Sequence, residues 1–185
     1  MPLLMLKNLP RYECLLEASK EFPDLDPSAT EVFLHLLRTG DEAFRVVETH
    51  LASHDITQGG FGVLMALWGR CRGNQPGRDA LSPAALAEHT GVTRATMTGL
   101  VDTLERDGLV RRHPDPADRR MVTVELTREG ESLLERILPE HFRQMAWLMA
   151  PLTETERKTF VGLLAKLLQR AADPAEAPLA TASTP

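Results

Sequence analysis

Cysteine, aromatic residues and long apolar runs are all scarce in this sequence. The 185 residues include two cysteines, Cys14 and Cys71, too few for a disulfide scaffold and typical of a reducing cytoplasm. Aromatic residues make up 5%, and the leucine- and alanine-rich remainder favours helices over a β-sandwich or barrel. No apolar run reaches the roughly 20 residues that span a membrane, and the apolar start lacks the basic segment of a signal peptide. We therefore expect a mainly helical cytoplasmic protein with no membrane partner.

The sequence also lacks an excess of basic residues. Lysine and arginine total 21 against 26 aspartates and glutamates, so the formal net charge is −5. This balance is unusual for a nucleic-acid-binding protein, so any such function has to come from a local basic patch. The length suits one domain or two small ones.

Helix start signals organise the first 72 residues. An arm and a short helix between Pro10 and Pro23 occupy residues 1–25, because proline suits a first helical turn and stops a helix elsewhere. Asp26 followed by proline begins a long helix that runs to about His54, and Thr57 caps the next one. Residues 26–72 are therefore predicted to be helices.

Residues 73–127 combine two short helices with a hairpin. A loop precedes Ser82-Pro83, which opens a short helix that ends at Gly91. A second helix runs from Thr93 to Gly108, so a tight turn with glycine joins the two, as in a helix-turn-helix. Two β-rich runs, 109–113 and 121–126, follow with turn residues between them. A hairpin directly after a helix-turn-helix makes a winged helix.

The C-terminal third is predicted to be two further helices and a tail. Thr127 caps a long apolar helix in which Pro139 should produce a bend, and Thr153 with Glu156 forms a capping box for the last helix. These helices, in residues 128–172, carry more apolar surface than one winged helix can cover. We expect a second copy of the chain to bury it, and residues 173–185 to be disordered.

Residues 82–130 resemble the winged helix of the MarR family of bacterial transcriptional regulators. The matching pieces are Leu86-Ala87, residues 92–96, residues 104–110 and residues 118–127. The last is the most specific, since it fits the family's D-x-R wing tip followed by a strand that ends in Leu-Thr. The flanking helices match in number and order, so the likeness covers about residues 30–170. It implies a homodimer with a winged helix-turn-helix and a helical dimerisation layer that binds double-stranded DNA at a pseudo-palindromic operator. The leading prediction is a ligand-responsive repressor.

The helix that starts at Thr93 has one face suited to DNA. Its apolar stripe points to the core, and the opposite row starts with Ala95 and Gly99, which are small enough for close approach. Asp102 in the same row would be repelled by DNA, so only the first two turns should enter a groove. Arg94 can pair with guanine, and threonines around the helix start can bind phosphate. The predicted contacts in this helix are Thr93, Arg94, Ala95, Thr96, Thr98 and Gly99.

The predicted wing is locally basic. Residues 106–120 hold five arginines and three acidic residues, which gives the segment a charge of +2. By the resemblance, Arg120 enters the minor groove, where a narrow A·T-rich segment attracts a guanidinium. Asp118 would hold that side chain in place and Arg119 would bind a phosphate.

His50 and His54 have three interpretations. They can lie on a polar helix face, or bind a metal, or bind a ligand, since residues four apart share a helix face. No metal is expected, because no matching cysteine or glutamate cluster accompanies them. The resemblance implies a pocket between the dimer helices and the winged helix that takes a small aromatic or heteroaromatic carboxylate. The predicted lining of this ligand site is His50, His54, Gln58, Phe61 and Met65.

Three alternatives stay open. Cys14 could be a redox switch, as in one branch of the family, although a plain apolar cysteine is favoured because the tyrosines of that branch are absent. A metal-responsive regulator would use His50 and His54. A winged helix could also bind protein instead of DNA, which would not require the exposed arginines.

Trp68 and Trp147 are predicted to lie in the core. The sequence has no nucleophile elbow or P-loop, so neither an enzyme nor a cofactor is expected.

Overall fold

The computed structural model describes residues 3–4, 6–71, 80–114 and 122–173. Within them the chain forms two strands and seven helices, which confirms the mainly helical fold with a hairpin. The elements are α1 (Tyr12–Glu21), α2 (Pro27–Ala52), α3 (Gln58–Cys71), α4 (Pro83–Thr90), α5 (Arg94–Arg106), β1 (Val110–Pro114), β2 (Val122–Leu126), α6 (Arg128–Leu148) and α7 (Glu154–Ala171). The chain divides into two compact units, one up to Gln144 and one from Met145 onward. No helix of the described segments combines the length and apolar character that crossing a membrane requires.

The predicted capping residues begin the helices. The carboxylate of Asp26 accepts the N–H groups of Ser28 and Ala29, so it satisfies two donors that α2 leaves free at its start. The Ser82 hydroxyl does the same for Ala85 at 3.1 Å, ahead of the proline that opens α4. Equivalent bonds, each to the N–H three residues on, are made by Thr57, Thr93, Thr127 and Thr153.

A left-handed glycine makes the turn of the helix-turn-helix. Gly91 ends α4 with φ of 69°, a conformation that costs glycine little because it has no Cβ. The N–H of Val92 then reaches back to the carbonyl of Ala87 at 3.1 Å. α3 packs against both α4 and α5, and the fully buried Leu67, Leu86 and Met97 join them in one core. The turn therefore fixes the direction in which α5 leaves the core.

The two strands form an antiparallel hairpin after α5. The register pairs Val110 with Leu126 and runs to Pro114 with Val122. Val124 of β2 is fully buried, and its backbone also exchanges two hydrogen bonds with Leu81, at 2.8 and 3.0 Å. This extra bridge ties the hairpin to the segment before α4.

The start of α6 is packed tightly on the turn between α5 and β1. The Thr127 hydroxyl donates to the carbonyl of Gly108 at 2.7 Å, and its N–H donates to the carbonyl of Leu109 at 3.1 Å. A Cβ placed on Gly130 would lie 2.2 Å from the Leu109 carbonyl oxygen. Only a glycine at this position allows the helix to approach that backbone so closely.

Gly130→Ala is therefore expected to destabilise the protein by about 1–3 kcal/mol, because the added methyl meets rigid backbone rather than a flexible side chain. Gly99→Ala is the matched control, since α5 has open space around that position. The control should gain stability, by about 0.5–1 kcal/mol, through the higher helix propensity of alanine. Denaturant melts of both variants without DNA measure the difference, and equal midpoints would contradict the packing described.

The predicted core position of Trp147 is wrong. Its side chain is 67% exposed in the last turn of α6, whereas Trp68 packs against the core as predicted. Helical periodicity shows which face is apolar, but it does not show which chain covers that face. Cys14 is a free, exposed cysteine. The predicted loop over 72–79, the side chain of Cys71, and the tail from residue 174 on lie outside the described residues.

Candidate DNA interface and ligand site

The first two turns of α5 present an exposed, sterically open face. The side chains of Met97 and Val101 are fully buried, so they anchor one side of the helix in the core. On the other side nothing lies within 4 Å of the place where a Cβ on Gly99 would be. The predicted DNA-contact residues are exposed together there, namely Thr93, Arg94, Ala95, Thr96, Thr98 and Gly99.

The threonines of this face already have partners in the protein. The Thr93 hydroxyl caps the helix by accepting the N–H of Thr96, and the two hydroxyls lie 2.9 Å apart. The Thr98 hydroxyl donates to the carbonyl of Arg94 at 3.0 Å. The Thr98 proton is used in this bond, and one of Thr93 and Thr96 donates to the other, so one hydroxyl of that pair keeps a proton that can be donated to a phosphate.

Arg94 occupies the first position of α5. Within the described segments its guanidinium has no ion-pair partner, and the side chain is exposed. It adds a full charge to the partial positive charge of the helix N-terminus. A free cation and free N–H groups at one helix start form a suitable contact for nucleic acid.

Two acidic residues on α5 are ion-paired with one arginine of the hairpin. The sequence alone did not predict this pairing. Asp102 was expected to repel DNA, but its carboxylate accepts a 2.6 Å hydrogen bond from Arg112 of β1. The same guanidinium donates to Glu105 at 2.6 Å. Burial lowers the pKa of Arg112, but the bonds to Asp102 and Glu105 outweigh burial and raise it. The negative charge on α5 is therefore partly cancelled.

A second ion-pair group lies on the other face of the hairpin. Glu125 accepts hydrogen bonds from Arg111 and, at 2.9 Å, from His113. Burial alone would raise the pKa of Glu125, but the bonds from Arg111 and His113 outweigh it and hold that pKa below its usual value. Both partners are neighbours of Glu125 across the strands.

These pairs change the charge expected for the wing. Three of the five arginines counted in residues 106–120 are ion-paired, namely Arg106, Arg111 and Arg112. Their partners include Asp102, Glu105 and Glu125, which lie outside that sequence window. Over residues 102–125 the five arginines face six acidic residues, so the net charge is −1. The predicted tip residues Asp118, Arg119 and Arg120 lie outside the described residues and stay predictions.

Three histidines and a phenylalanine come together between α2, α3 and α6. The ring centroid of His50 lies 5.2 Å from that of His54, in an edge-on arrangement, and 5.9 Å from that of His141, in a stacked one. His141 also contacts Phe61, at 5.0 Å, and Phe142, at 6.0 Å. We refer to His50, His54, His141 and Phe61 as the histidine cluster.

Two polar side-chain atoms, one in the histidine cluster and one in α6, are buried without hydrogen-bond partners within the described segments. His50 is only 4% exposed, and its Nε2 has no hydrogen-bond partner among the described residues. The Oε1 of Gln144, three residues after His141, is also buried and unpaired. Such atoms each cost about 1–3 kcal/mol, so a ligand that bonds to them gains binding energy. Burial, and then the neighbouring His50, lower the pKa of His141 below its usual 6.5, so this ring is neutral at pH 7.

The predicted ligand site is only partly assembled as expected. α2 ends at Ala52, and a turn rather than helix brings His54 to His50. Phe61 joins them, whereas Gln58 is exposed at the start of α3 and Met65 is half-buried against the core. Sequence reasoning missed His141. Its signal was a polar residue in register with the buried Leu134 and Ile137, seven and four positions earlier.

The histidine cluster does not have the arrangement of a metal centre. Among the residues that the structure describes, no group of three or more histidine, cysteine, aspartate or glutamate side chains is placed to hold a metal ion. Metal ligands have to converge on one point at about 2 Å. The geometry therefore offers no support for the metal-responsive alternative based on His50 and His54.

Comparison with known proteins identifies relatives over most of the chain. The sequence is 36% identical to the HTH-type transcriptional repressor YetL of Bacillus subtilis over 166 residues, 89% of this chain and 95% of YetL. BpsR of Bordetella bronchiseptica, whose DNA binding is regulated by 6-hydroxynicotinic acid, is 30% identical, with a TM-score of 0.61 over 72% of this chain and 90% of BpsR. Sco3205 of Streptomyces coelicolor, a MarR family regulator solved with DNA, shares the fold at 23% identity, with a TM-score of 0.70 over 83% of this chain and 94% of Sco3205.

The helix-turn-helix, the hairpin and the flanking helices define a winged helix-turn-helix transcriptional regulator. The family model described as MarR family matches residues 72–121. Together with the similarity to YetL over nearly the whole chain, this match shows that the chain belongs to the MarR family of transcriptional regulators.

Proposed function

We propose that this regulator is a homodimer that represses transcription at a pseudo-palindromic operator and releases it when a small aromatic or heteroaromatic acid binds. The observation that carries the DNA-binding part is the open face of α5 with Arg94 at its start, which has no ion-pair partner in the part of the chain that the structure describes. The small Ala95 and Gly99 let the backbone approach base edges closely. A repressor of chromosomal DNA acts in the cytoplasm.

Unburied apolar side chains support the dimer. None of the residues of α7 is buried, and contiguous exposed apolar surface is typical of an interface. The exposed apolar residues of α1, α2 and α7 include Tyr12, Leu16, Val32, Phe33, Phe160, Val161, Leu163, Leu167 and Leu168. A two-fold dimer would cover such surface and present two copies of α5 to successive turns of DNA.

The chemistry of the histidine cluster supports an acidic aromatic effector. A protonated imidazole pairs with a carboxylate, Phe61 and His141 offer flat surfaces to a ring, and the unpaired Gln144 oxygen accepts a hydroxyl or ring N–H. The effector named for BpsR, 6-hydroxynicotinic acid, has all three features. An acid of this kind between α2, α3 and α6 would change how the helices pack beside α5.

Titration of an operator selected from random duplexes tests the function. The free chain should sediment at about twice 20.5 kDa, and one dimer should bind each duplex. If Arg119 of each subunit neutralises a phosphate, a dimer makes two such contacts and log K should fall with log salt with a slope of about −2. A monomer that binds the palindrome tightly would refute the dimer. Absence of salt-dependent duplex binding would favour the protein-binding alternative.

A further inference from the structure

One side chain of the hairpin connects it to the recognition helix α5. The guanidinium of Arg112 donates to Asp102 and to Glu105, each at 2.6 Å, and the second oxygen of Glu105 accepts the N–H of Arg112 at 2.9 Å. Three hydrogen bonds therefore join β1 to the last two turns of α5. The side chains of Arg112 and Glu105 are 27% and 37% exposed, whereas that of Asp102 is 60% exposed, so water competes more for the bond to Asp102 than for the bond to Glu105.

The strand geometry makes Arg112 the residue that faces α5. Successive side chains of a strand point to opposite faces, and the neighbouring Arg111 turns away to pair with Glu125. Across the hairpin, Arg112 is opposite Val124, which is fully buried and bridged to Leu81. Arg112 therefore adds a contact to α5 at a level of the hairpin where the opposite strand is already held by the bridge to Leu81.

The two carboxylates suit a forked cation. Asp102 and Glu105 are three residues apart and so share one face of α5. The planar guanidinium donates in two directions at once with fixed geometry, which the single ammonium of a lysine cannot reproduce. As long as Arg112 keeps its bonds to both carboxylates, the angle between the hairpin and α5 is fixed.

We infer that Arg112 is a positioning residue that fixes the wing relative to α5, so that both engage DNA as one rigid unit. This inference rests on the proposed DNA-binding function. A recognition helix and a wing tip on the same subunit must reach their grooves together, and a loose hairpin would have to be ordered during binding at an entropic cost. Both terminal nitrogens of the guanidinium already donate to carboxylates of α5, so the charge of Arg112 is paired within the protein.

Arg112→Lys tests the inference because it keeps the charge and loses the fork. Arg111→Lys, the same substitution at the adjacent position of β1, is the matched control. Amide exchange over residues 110–114 and 122–126, measured without DNA, should become faster in Arg112→Lys than in the control. Operator affinity should fall about tenfold, whereas non-specific duplex affinity and the salt slope should stay at the parent values.

A direct phosphate contact predicts different results. Lysine would then replace arginine with little loss, and Asp102→Asn with Glu105→Gln would strengthen binding by freeing Arg112. Either result, or unchanged amide exchange in Arg112→Lys, would overturn the inference. If Arg112→Lys melts far below the parent, the double variant Asp102→Asn with Glu105→Gln is used in its place. It removes the same ion pairs from the side of α5, and it should also lower operator affinity. A parent chain that binds no duplex would refute the proposed function, and the exchange measurement would still test the positioning role.

Discussion

Arg94→Ala is expected to weaken operator binding by about 1–3 kcal/mol, or roughly 5- to 150-fold, and to relax the preference for guanine at one position of each half-site. The side chain is exposed at the first position of α5 and has no ion-pair partner within the described segments, so its removal should not disturb the fold. Anisotropy titrations with the selected operator and with single-base variants measure both effects.

Arg106→Ala is the matched control for this experiment. Arg106 lies on the same helix, is 72% exposed and pairs with Asp107. Like Arg94→Ala, this substitution removes one positive charge, but it does so at the C-terminal end of α5, which should stay outside the groove. Operator affinity should therefore change little. Equal losses in both variants would mean that α5 contributes only general charge, and no loss in either would contradict its role in reading DNA.

Arg120→Ala examines the wing in the same assay. The family resemblance predicts that Arg120 enters the minor groove, so its loss should weaken binding most where the flanking sequence is A·T-rich. The variant should keep the parent's melting temperature and dimer mass. An Arg120 variant with parental affinity for A·T-rich flanks would remove the wing tip from the proposed interface.

Binding of 6-hydroxynicotinate or a related acid is expected to lower operator affinity by about 1–3 kcal/mol, a usual strength of coupling between two sites. Nicotinate, which lacks the hydroxyl, should bind more weakly, since it leaves the Gln144 oxygen unpaired. Calorimetry with a panel of benzoates and pyridine carboxylates measures the binding, and titration of the operator complex measures release.

The pH dependence identifies the groups involved. The pKa of His141 in the free protein is below 6.5, so an anion that pairs with this ring has to bind together with a proton. Affinity should therefore fall as pH rises above that pKa, by at most about tenfold per unit. His141→Phe should reduce the pH dependence, and His50→Ala should weaken binding.

His35→Ala provides the control for the histidine variants. His35 is an exposed histidine of α2 whose Nδ1 lies 2.9 Å from the carbonyl oxygen of Glu31, and its loss should leave effector binding unchanged. Acid binding that depends on neither His50 nor His141 would place the effector elsewhere. Operator release by peroxide or zinc alone, without response to any acid, would support the redox- or metal-responsive alternative.

Local signals in the sequence were sufficient for the helix-turn-helix. Ser82, Thr93 and Gly91 act through bonds to backbone groups within a few residues, so their effect depends little on the remaining chain. The apolar stripe of α5 likewise identified the face of the helix that is buried, and the opposite face is therefore the exposed one. This is why the exposed residues of α5 could be named before the structure was known.

The histidine cluster could be predicted only in part for the opposite reason. His50 and His54 are close in sequence, but His141 comes from a helix almost 90 residues later. A periodic pattern shows that His141 faces inward and does not show what it meets there. Gln58 and Met65 were included from their nearness in sequence, which is a weak guide once a turn separates α2 from α3.

By itself the sequence determined the order of the helices, their caps, the hairpin and the face of α5 that is free to meet DNA, because these follow from periodicity and from bonds between near neighbours. Only the tertiary structure decided which charges remain available. Arg112 meets Asp102 and Glu105 because β1 runs back past α5, and Arg111 meets Glu125 because β1 pairs with β2. Ion pairs depend on distance in space, so a charge count along the chain described this wing as basic when most of its described arginines are already paired.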